Sequence, residues 1–157
     1  MITTNAMRLL RAAGVPFDVK EYPVDENDLS GVHIAECLGI SPDTMFKTLV
    51  ARGESKAIYV FCIPAAEELD LKKCASLVKE KKIEMVAVKE LLGLTGYIRG
   101  GCSPVGMKKK YPTYMDETAT LFDPIYVSAG VRGAQLFLAV KDLLPFVEAK
   151  CVPLTVK

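Results

Sequence analysis

Two apolar runs, Met45 to Arg52 and Ala57 to Ile63, constrain this chain most; they are joined by Gly53-Glu54-Ser55-Lys56. Strand-length apolar segments separated by a short turn-forming stretch predict an antiparallel hairpin. Alternation along the first strand puts Phe46, Thr48 and Val50 on one face and Met45, Lys47 and Leu49 on the other. Lys47 is therefore a charged residue flanked on its own face by apolar neighbours. A strand lysine commonly snorkels to solvent, and the alternative is that it serves a site.

Around the hairpin the pattern alternates between short helical and strand segments. Thr4 can cap a helix to about Ala13, ended by Gly14, and Phe17 to Tyr22 reads as a strand stopped by Pro23. Ser30 caps a helix to Cys37 or Leu38 with Gly39 as terminator, and Asp70 caps another carrying Leu71, Cys74, Ala75, Leu77 and Val78 on one side. Glu84 to Val88 predicts a strand and Lys89 to Leu92 a helical turn closed by Gly93. Tyr126 to Ala129 and Leu136 to Val140 predict two strands joined through Gly130-Val131-Arg132-Gly133. Asp142 opens a last helical turn, and Val152 to Val156 is a sheet-edge strand. With no repeat, low-complexity tract or linker, residues 1–157 read as one α/β domain with a mixed sheet of five to seven strands.

Net charge is +1, which gives no argument for nucleic acid by itself. Lys72-Lys73 and Lys79 with Lys81-Lys82 have acidic neighbours on an amphipathic stretch and read as a solvated face. Lys108-Lys109-Lys110 follows a glycine-rich loop and is open to either reading, solvated surface or phosphate contact. Five cysteines, an odd count without a C-x-x-C pair, and one histidine predict neither a disulfide framework nor a metal site. No cofactor is expected. The N-terminal residues carry no signal-peptide or membrane-spanning run, so a cytoplasmic protein without a membrane partner is the expectation.

Conventional catalytic apparatus is scarce. His33 lies on the short helix after Ser30 without a partner motif, and neither G-x-S-x-G nor a phosphate loop occurs. What remains is Lys47 and the segment Thr95 to Gly106, whose glycines and Pro104 interrupt any regular element. Within it, Gly100-Gly101-Cys102-Ser103-Pro104 can offer consecutive N–H groups to an ester carbonyl, each donor contributing ~3 kcal/mol to a developing oxyanion. The same residues also suit a tight structural turn.

Five blocks in order decide between these readings by resemblance: FKTLV (Phe46 to Val50), FCIPAAEELDLKK (Phe61 to Lys73), TGYIRGGCSPVGMKKKYP (Thr95 to Pro112), YVSAGVRG (Tyr126 to Gly133) and the Lys141-Asp142-Leu143 turn. They resemble the YbaK family of cysteinyl-tRNA deacylases, related to the editing domain of bacterial prolyl-tRNA synthetases, over most of the chain from Tyr22 to Leu143. The resemblance implies a mixed, partly barrel-like sheet with peripheral helices and a pocket for the aminoacyl end of tRNA. It gives Lys47 the main functional role, with Gly101 and Ser103 beside it as catalytic residues. It assigns Gly100, Pro104, Ser128, Gly130, Arg132, Tyr22 and Asp142 to substrate binding. Cys102 stands where the family usually has an aliphatic residue, and without a histidine nearby in sequence it reads as a small apolar filler rather than a nucleophile.

Family behaviour further implies substrate-assisted chemistry on Cys-tRNA(Pro). The cysteinyl thiol attacks its own ester carbonyl and releases the ribose as a cyclic thioester forms. Aligned intramolecular attack is worth roughly 7–11 kcal/mol, so no protein nucleophile is required. An alanyl-tRNA(Pro) deacylase of the sister branch, or a non-catalytic module binding tRNA or a synthetase, are the alternatives. Prolyl-tRNA synthetase is the implied protein partner, in a ternary complex.

Overall fold

The computed structural model describes residues 3–156. In chain order its regular elements are α1 (Asn5–Ala12), β1 (Asp18–Glu21), α2 (Gly31–Leu38), β2 (Met45–Gly53), β3 (Ile58–Pro64), α3 (Leu71–Val78), β4 (Ile83–Met85), α4 (Val88–Thr95), β5 (Thr113–Asp116), β6 (Ile125–Ser128), β7 (Ala134–Leu138), α5 (Val140–Val147) and β8 (Ala149–Val152). The strands form one eight-stranded mixed sheet in the order β1-β7-β6-β2-β3-β5-β8, with β4 added to β2. The fold is α/β, as the alternation of short elements implies.

The expected hairpin is the centre of the sheet: β2 and β3 pair antiparallel from Phe46 opposite Pro64 to Arg52 opposite Ile58. Its turn is held from outside, because the Glu80 carboxylate accepts from the Ser55 N–H at 3.1 Å and from the Tyr59 hydroxyl at 2.7 Å. Three helices start where their caps predict. Thr4, Ser30 and Asp70 each accept an N–H from the residue three positions on, at 3.2, 3.3 and 3.0 Å. Thr4 also donates to the Ala129 carbonyl at 2.7 Å, which ties α1 to the end of β6 and buries Met7 and Leu10.

Elsewhere tertiary contacts override local signals. The turn expected to close at Gly93 continues as α4 to Thr95 and stops at Gly96, because Gly93 can remain helical and Gly96 takes the left-handed φ of 85°. The start of α4 is fixed by Glu90, which accepts the Ala87 N–H at 3.3 Å and pairs with Arg52 of β2 at 3.0 Å. Strand β5 has no counterpart in the sequence reading. It is short and half polar, and it exists through parallel pairing with β3 on one side and β8 on the other. α5 begins before Asp142, since the Asp123 carboxylate accepts the Val140 N–H at 2.8 Å. The last strand is Ala149–Val152 instead of Val152 to Val156, where Thr155 makes only an isolated bridge to Leu69.

The two faces of β2 serve different apolar clusters. Phe46 and Val50 belong to the main core with Met7, Leu10, Val127, Leu136 and Leu143. On the other face, Met45 packs with Ile34, Ala35 and Ala65, while Leu49 packs against the cluster around Phe61 and Cys74. Lys47 thus occupies the gap between two clusters on one face, as its alternation predicts. Among the described residues no helix is long and apolar enough to cross a membrane.

Candidate functional site

Strand β2 changes partner along one edge. Met45 and Phe46 pair in parallel with Tyr126 and Val127 of β6, whereas Ala51 to Gly53 pair antiparallel with β4. β3 takes the whole opposite edge, so residues 47–50 lie in the fork where β6 and β4 diverge. A cavity of about 480 Å³ opens there, with Lys47, Thr48, Gly100, Cys102, Ser128 and Gln135 among its polar and small lining residues. Ile34, Met45, Val86 and Leu91 supply apolar wall.

Lys47 is half-buried. Burial pulls its ammonium below the ordinary lysine value, and the carboxylates of Glu68 and Glu67 oppose that shift. It makes no hydrogen bond or ion pair with another described residue. A partly desolvated cation without a fixed partner is a receptor for an anion or a carbonyl oxygen.

The glycine loop forms the facing wall. Gly100 lines the cavity with φ 88°, and the loop behind it is buried from Gly101 to Val105. At Gly101 a Cβ would stand 3.1 Å from the Arg132 nitrogen and the Val131 carbonyl carbon, so this residue is where the loop and the β6–β7 turn touch backbone to backbone. Its N–H donates to the Ile98 carbonyl at 3.0 Å. That corrects the expectation of donors running from Gly101: the N–H is already used within its own turn. The Cys102 and Ser103 N–H groups have no acceptor among the described residues. The Ser103 side chain is buried, and its Oγ accepts the Val105 N–H at 3.2 Å, so it shapes the loop from behind the cavity wall, next to Pro104.

The β6–β7 turn completes the arrangement. Ser128 lines the cavity and accepts the Gly130 N–H at 3.1 Å. Gly130 has φ 96°, and a Cβ there would meet the Tyr97 ring at 2.9 Å. Arg132 lies over Gly100 and donates from Nε to the Arg99 carbonyl at 2.9 Å, clamping the loop rather than lining the cavity. Tyr22 is one layer further out, its N–H donating to Gly133 at 2.9 Å and its ring packed on the Ile34–Met45 cluster. Asp142 is not brought to the site: it sits in the first turn of α5, and no residue of that helix lines the cavity.

Gln135 is a polar lining residue that the sequence reading does not single out. It faces Ser128 in the β6–β7 register and is 3% exposed. Its Oε1 is the one buried side-chain nitrogen or oxygen without a hydrogen-bond partner among the described residues. Counting the register back through the four-residue turn from Ser128 would have found it. A buried acceptor left open beside a cavity is available to a ligand's donor.

Cys102 and His33 do not form a nucleophile–base pair in the cavity. Burial pushes the Cys102 thiol up to about 12, so it is protonated at neutral pH. His33 is on the outer face of α2 and does not line the cavity. Of the lysine triplet, Lys110 is paired with Glu148, while Lys108 and Lys109 are exposed and fit either reading, solvated surface or phosphate contact. A second cavity of about 310 Å³ is lined by Asp43, Glu67, Asp116 and Glu117 and is of the wrong sign for RNA. No group of three metal-ligating side chains occurs among the described residues.

Fold and site together define an α/β domain whose cleft holds a half-buried cation beside a glycine loop, with no activated nucleophile among the described residues. The chain belongs to the aminoacyl-tRNA editing domain family, whose model matches residues 30–146. It is 46% identical, over 98% of its length and 94% of the relative's, to EbsC of Enterococcus faecalis, provisionally named a Cys-tRNA(Pro)/Cys-tRNA(Cys) deacylase. YwhH of Bacillus subtilis is 27% identical over 81% of this chain and 82% of its own, and its name assigns no activity. A crystal structure described as a provisional trans-editing enzyme for prolyl-tRNA synthetase superposes with a TM-score of 0.86, covering both chains completely at 26% identity.

Proposed function

We propose that this chain is a trans-acting deacylase that removes cysteine from Cys-tRNA(Pro), with residues 1–157 working as one editing unit. The observation that carries the reading is the fork in β2, where Lys47, without a hydrogen bond or ion pair among the described residues, shares the cavity with a glycine loop whose Cys102 and Ser103 N–H groups have no acceptor among them. The names of EbsC and of the trans-editing structure support the substrate and the link to prolyl-tRNA synthetase.

In this mechanism Lys47 anchors the polar end of the aminoacyl ester, and Gln135 Oε1 accepts from its α-ammonium. The substrate thiol attacks the ester carbonyl, and its proton passes through solvent to the departing 3′-terminal ribose oxygen. Cys102 and Ser103 N–H groups stabilise the oxyanion, and water then opens the cyclic thioester to free cysteine. Two such donors contribute about 3 kcal/mol each, on top of the advantage of intramolecular attack. Gly100, Gly101, Pro104, Ser128, Gly130 and Arg132 hold the loop at its working distance, and Tyr22 supports the cavity wall. The protein thereby needs neither a histidine base nor a metal at this site.

The test is deacylation of Cys-tRNA(Pro), Ala-tRNA(Pro) and Pro-tRNA(Pro) by wild type and Lys47→Ala. Loss of cysteine alone, abolished by the substitution, is the expected result. Turnover of alanine in preference to cysteine overturns the substrate, and turnover that survives Lys47→Ala overturns the site.

A further inference from the structure

Three side chains outside the cavity carry chemistry that the editing site does not use. Cys37 and His33 are four residues apart on the outward stripe of α2, with Cys37 Sγ 3.6 Å from His33 Nε2. The other ring nitrogen, Nδ1, lies 3.7 Å from Asp28 Oδ2 in the loop before the helix. Hydrogen bonds from Ser30 hold the Asp28 carboxyl below the ordinary aspartate value, and the Ser30 N–H reaches Oδ1 at 3.1 Å. An ionised carboxylate on Nδ1 favours the tautomer in which Nε2 is free to take a proton from the thiol.

The other four thiols lack this arrangement. Cys62, Cys74 and Cys102 are buried, and burial pushes each up to about 12. Cys151 is exposed, yet partial burial first, and then the charges of Asp116 and Glu117, push its thiol upward. Cys37 is next to last in α2, at the end of the helix that carries negative partial charge and offers an anion no help. Any enhanced reactivity there must come from His33.

We propose that Cys37 is a modification site, a surface nucleophile that captures low-molecular-weight disulfides with His33 as its base and Asp28 as the group that orients His33. Cys37 gives its proton to His33 Nε2, and the thiolate attacks one sulfur of the disulfide. The Cys37 S–S bond forms as the original S–S bond breaks, and the departing thiolate takes up a proton. The disulfide is the oxidant, and one thiol is consumed for one released. The adduct stands on the outer side of a helix whose Gly31 and Ile34 line the editing cavity, so it is accessible without entering that cavity.

The experiment exposes the full chain to oxidised glutathione near neutral pH and follows each cysteine by peptide mass mapping. Cys37 reacts roughly tenfold or more faster than Cys151, because its thiol alone of the two has a base within reach. His33→Gln lowers Cys37 to the Cys151 rate or below, and Asp28→Asn lowers it part of the way. His33→Gln changes the pH profile of the Cys37 rate and leaves that of Cys151 as it is in wild type. His33 is the ionisable side chain the structure places against this thiol, and Asp28 lies behind it against Nδ1. Unchanged circular dichroism and thermal midpoints show that the variants are folded. Equal rates at Cys37 and Cys151 in wild type, or a Cys37 rate indifferent to His33→Gln, overturn the proposal.

Discussion

Gln135→Met separates a residue kept for a ligand from one kept for the fold. The carboxamide is 3% exposed, and its Oε1 has no partner among the described residues. Leaving a buried acceptor unsatisfied costs about 1–3 kcal/mol. Methionine has nearly the same volume and no polar atom, so it removes that cost without opening a cavity or overfilling one. The β6–β7 pairing is undisturbed, because its hydrogen bonds are made by backbone. For a chain of this size about 3 °C in thermal midpoint corresponds to 1 kcal/mol, which puts the expected rise at about 3–9 °C. Activity moves the other way. Loss of a hydrogen bond to a charged ammonium is worth about 1.5–3 kcal/mol, or roughly ten- to a hundredfold in kcat/KM. Thermal and urea denaturation read the first quantity, and Cys-tRNA(Pro) deacylation reads the second. A variant that is less stable and equally active refutes the reasoning, since Gln135 would then be holding the hairpin rather than the substrate.

Lys47→Met gives the same separation through pH. Burial lowers the Lys47 pKa on folding, so between that lowered value and 10.5 the unfolded chain binds more protons and stability rises with pH. The cost of burying the charge is fully present below that window and fades across it; the variant should show a flatter urea midpoint between neutral pH and 10.5, and a slope identical to wild type counts against a desolvated lysine. Gly101→Ala puts a methyl 3.1 Å from two backbone atoms that no rotamer change can move, costing about 1–3 kcal/mol and displacing the loop from its register with Arg132. Its deacylation rate should fall by more than its stability accounts for, and wild-type activity would show that loop position does not matter. Cys102→Ala keeps the backbone N–H and removes only a buried thiol, so deacylation should stay within about twofold while stability drops by about 1 kcal/mol; an inactive variant makes the thiol a participant after all.

Much of this molecule is legible from its sequence wherever the determining contact is local. The caps at Thr4, Ser30 and Asp70, the β2–β3 hairpin and the face occupied by Lys47 all follow from residues within a few positions of one another. Where the determining contact is distant, the sequence is silent. β5 exists because β3 and β8 lie on either side of it, and the start of α5 depends on Asp123 rather than on Asp142. The site divides along the same line. Its motifs announce Lys47, Gly100 and Ser128, which do meet at the cavity. They cannot announce that the Gly101 N–H is already spent or that Gln135 is left without a partner, because both depend on which donors and acceptors the finished fold has used.

That dependence bears on how such a site can work. A cleft with an activated nucleophile tolerates some imprecision, since reactivity resides in one side chain. Here the cavity holds a partly desolvated lysine, a protonated thiol and an orphaned amide, none of which performs covalent chemistry under the proposed scheme. Rate then rests on how well the substrate's own groups are aligned, and a misplacement of about 1 Å can cost a hundredfold. Selection on such a site falls on the residues that fix distances. Under the proposed scheme the backbone contact at Gly101 and the Arg132 clamp on Arg99 are as much a part of the chemistry as Lys47, although neither lines the cavity.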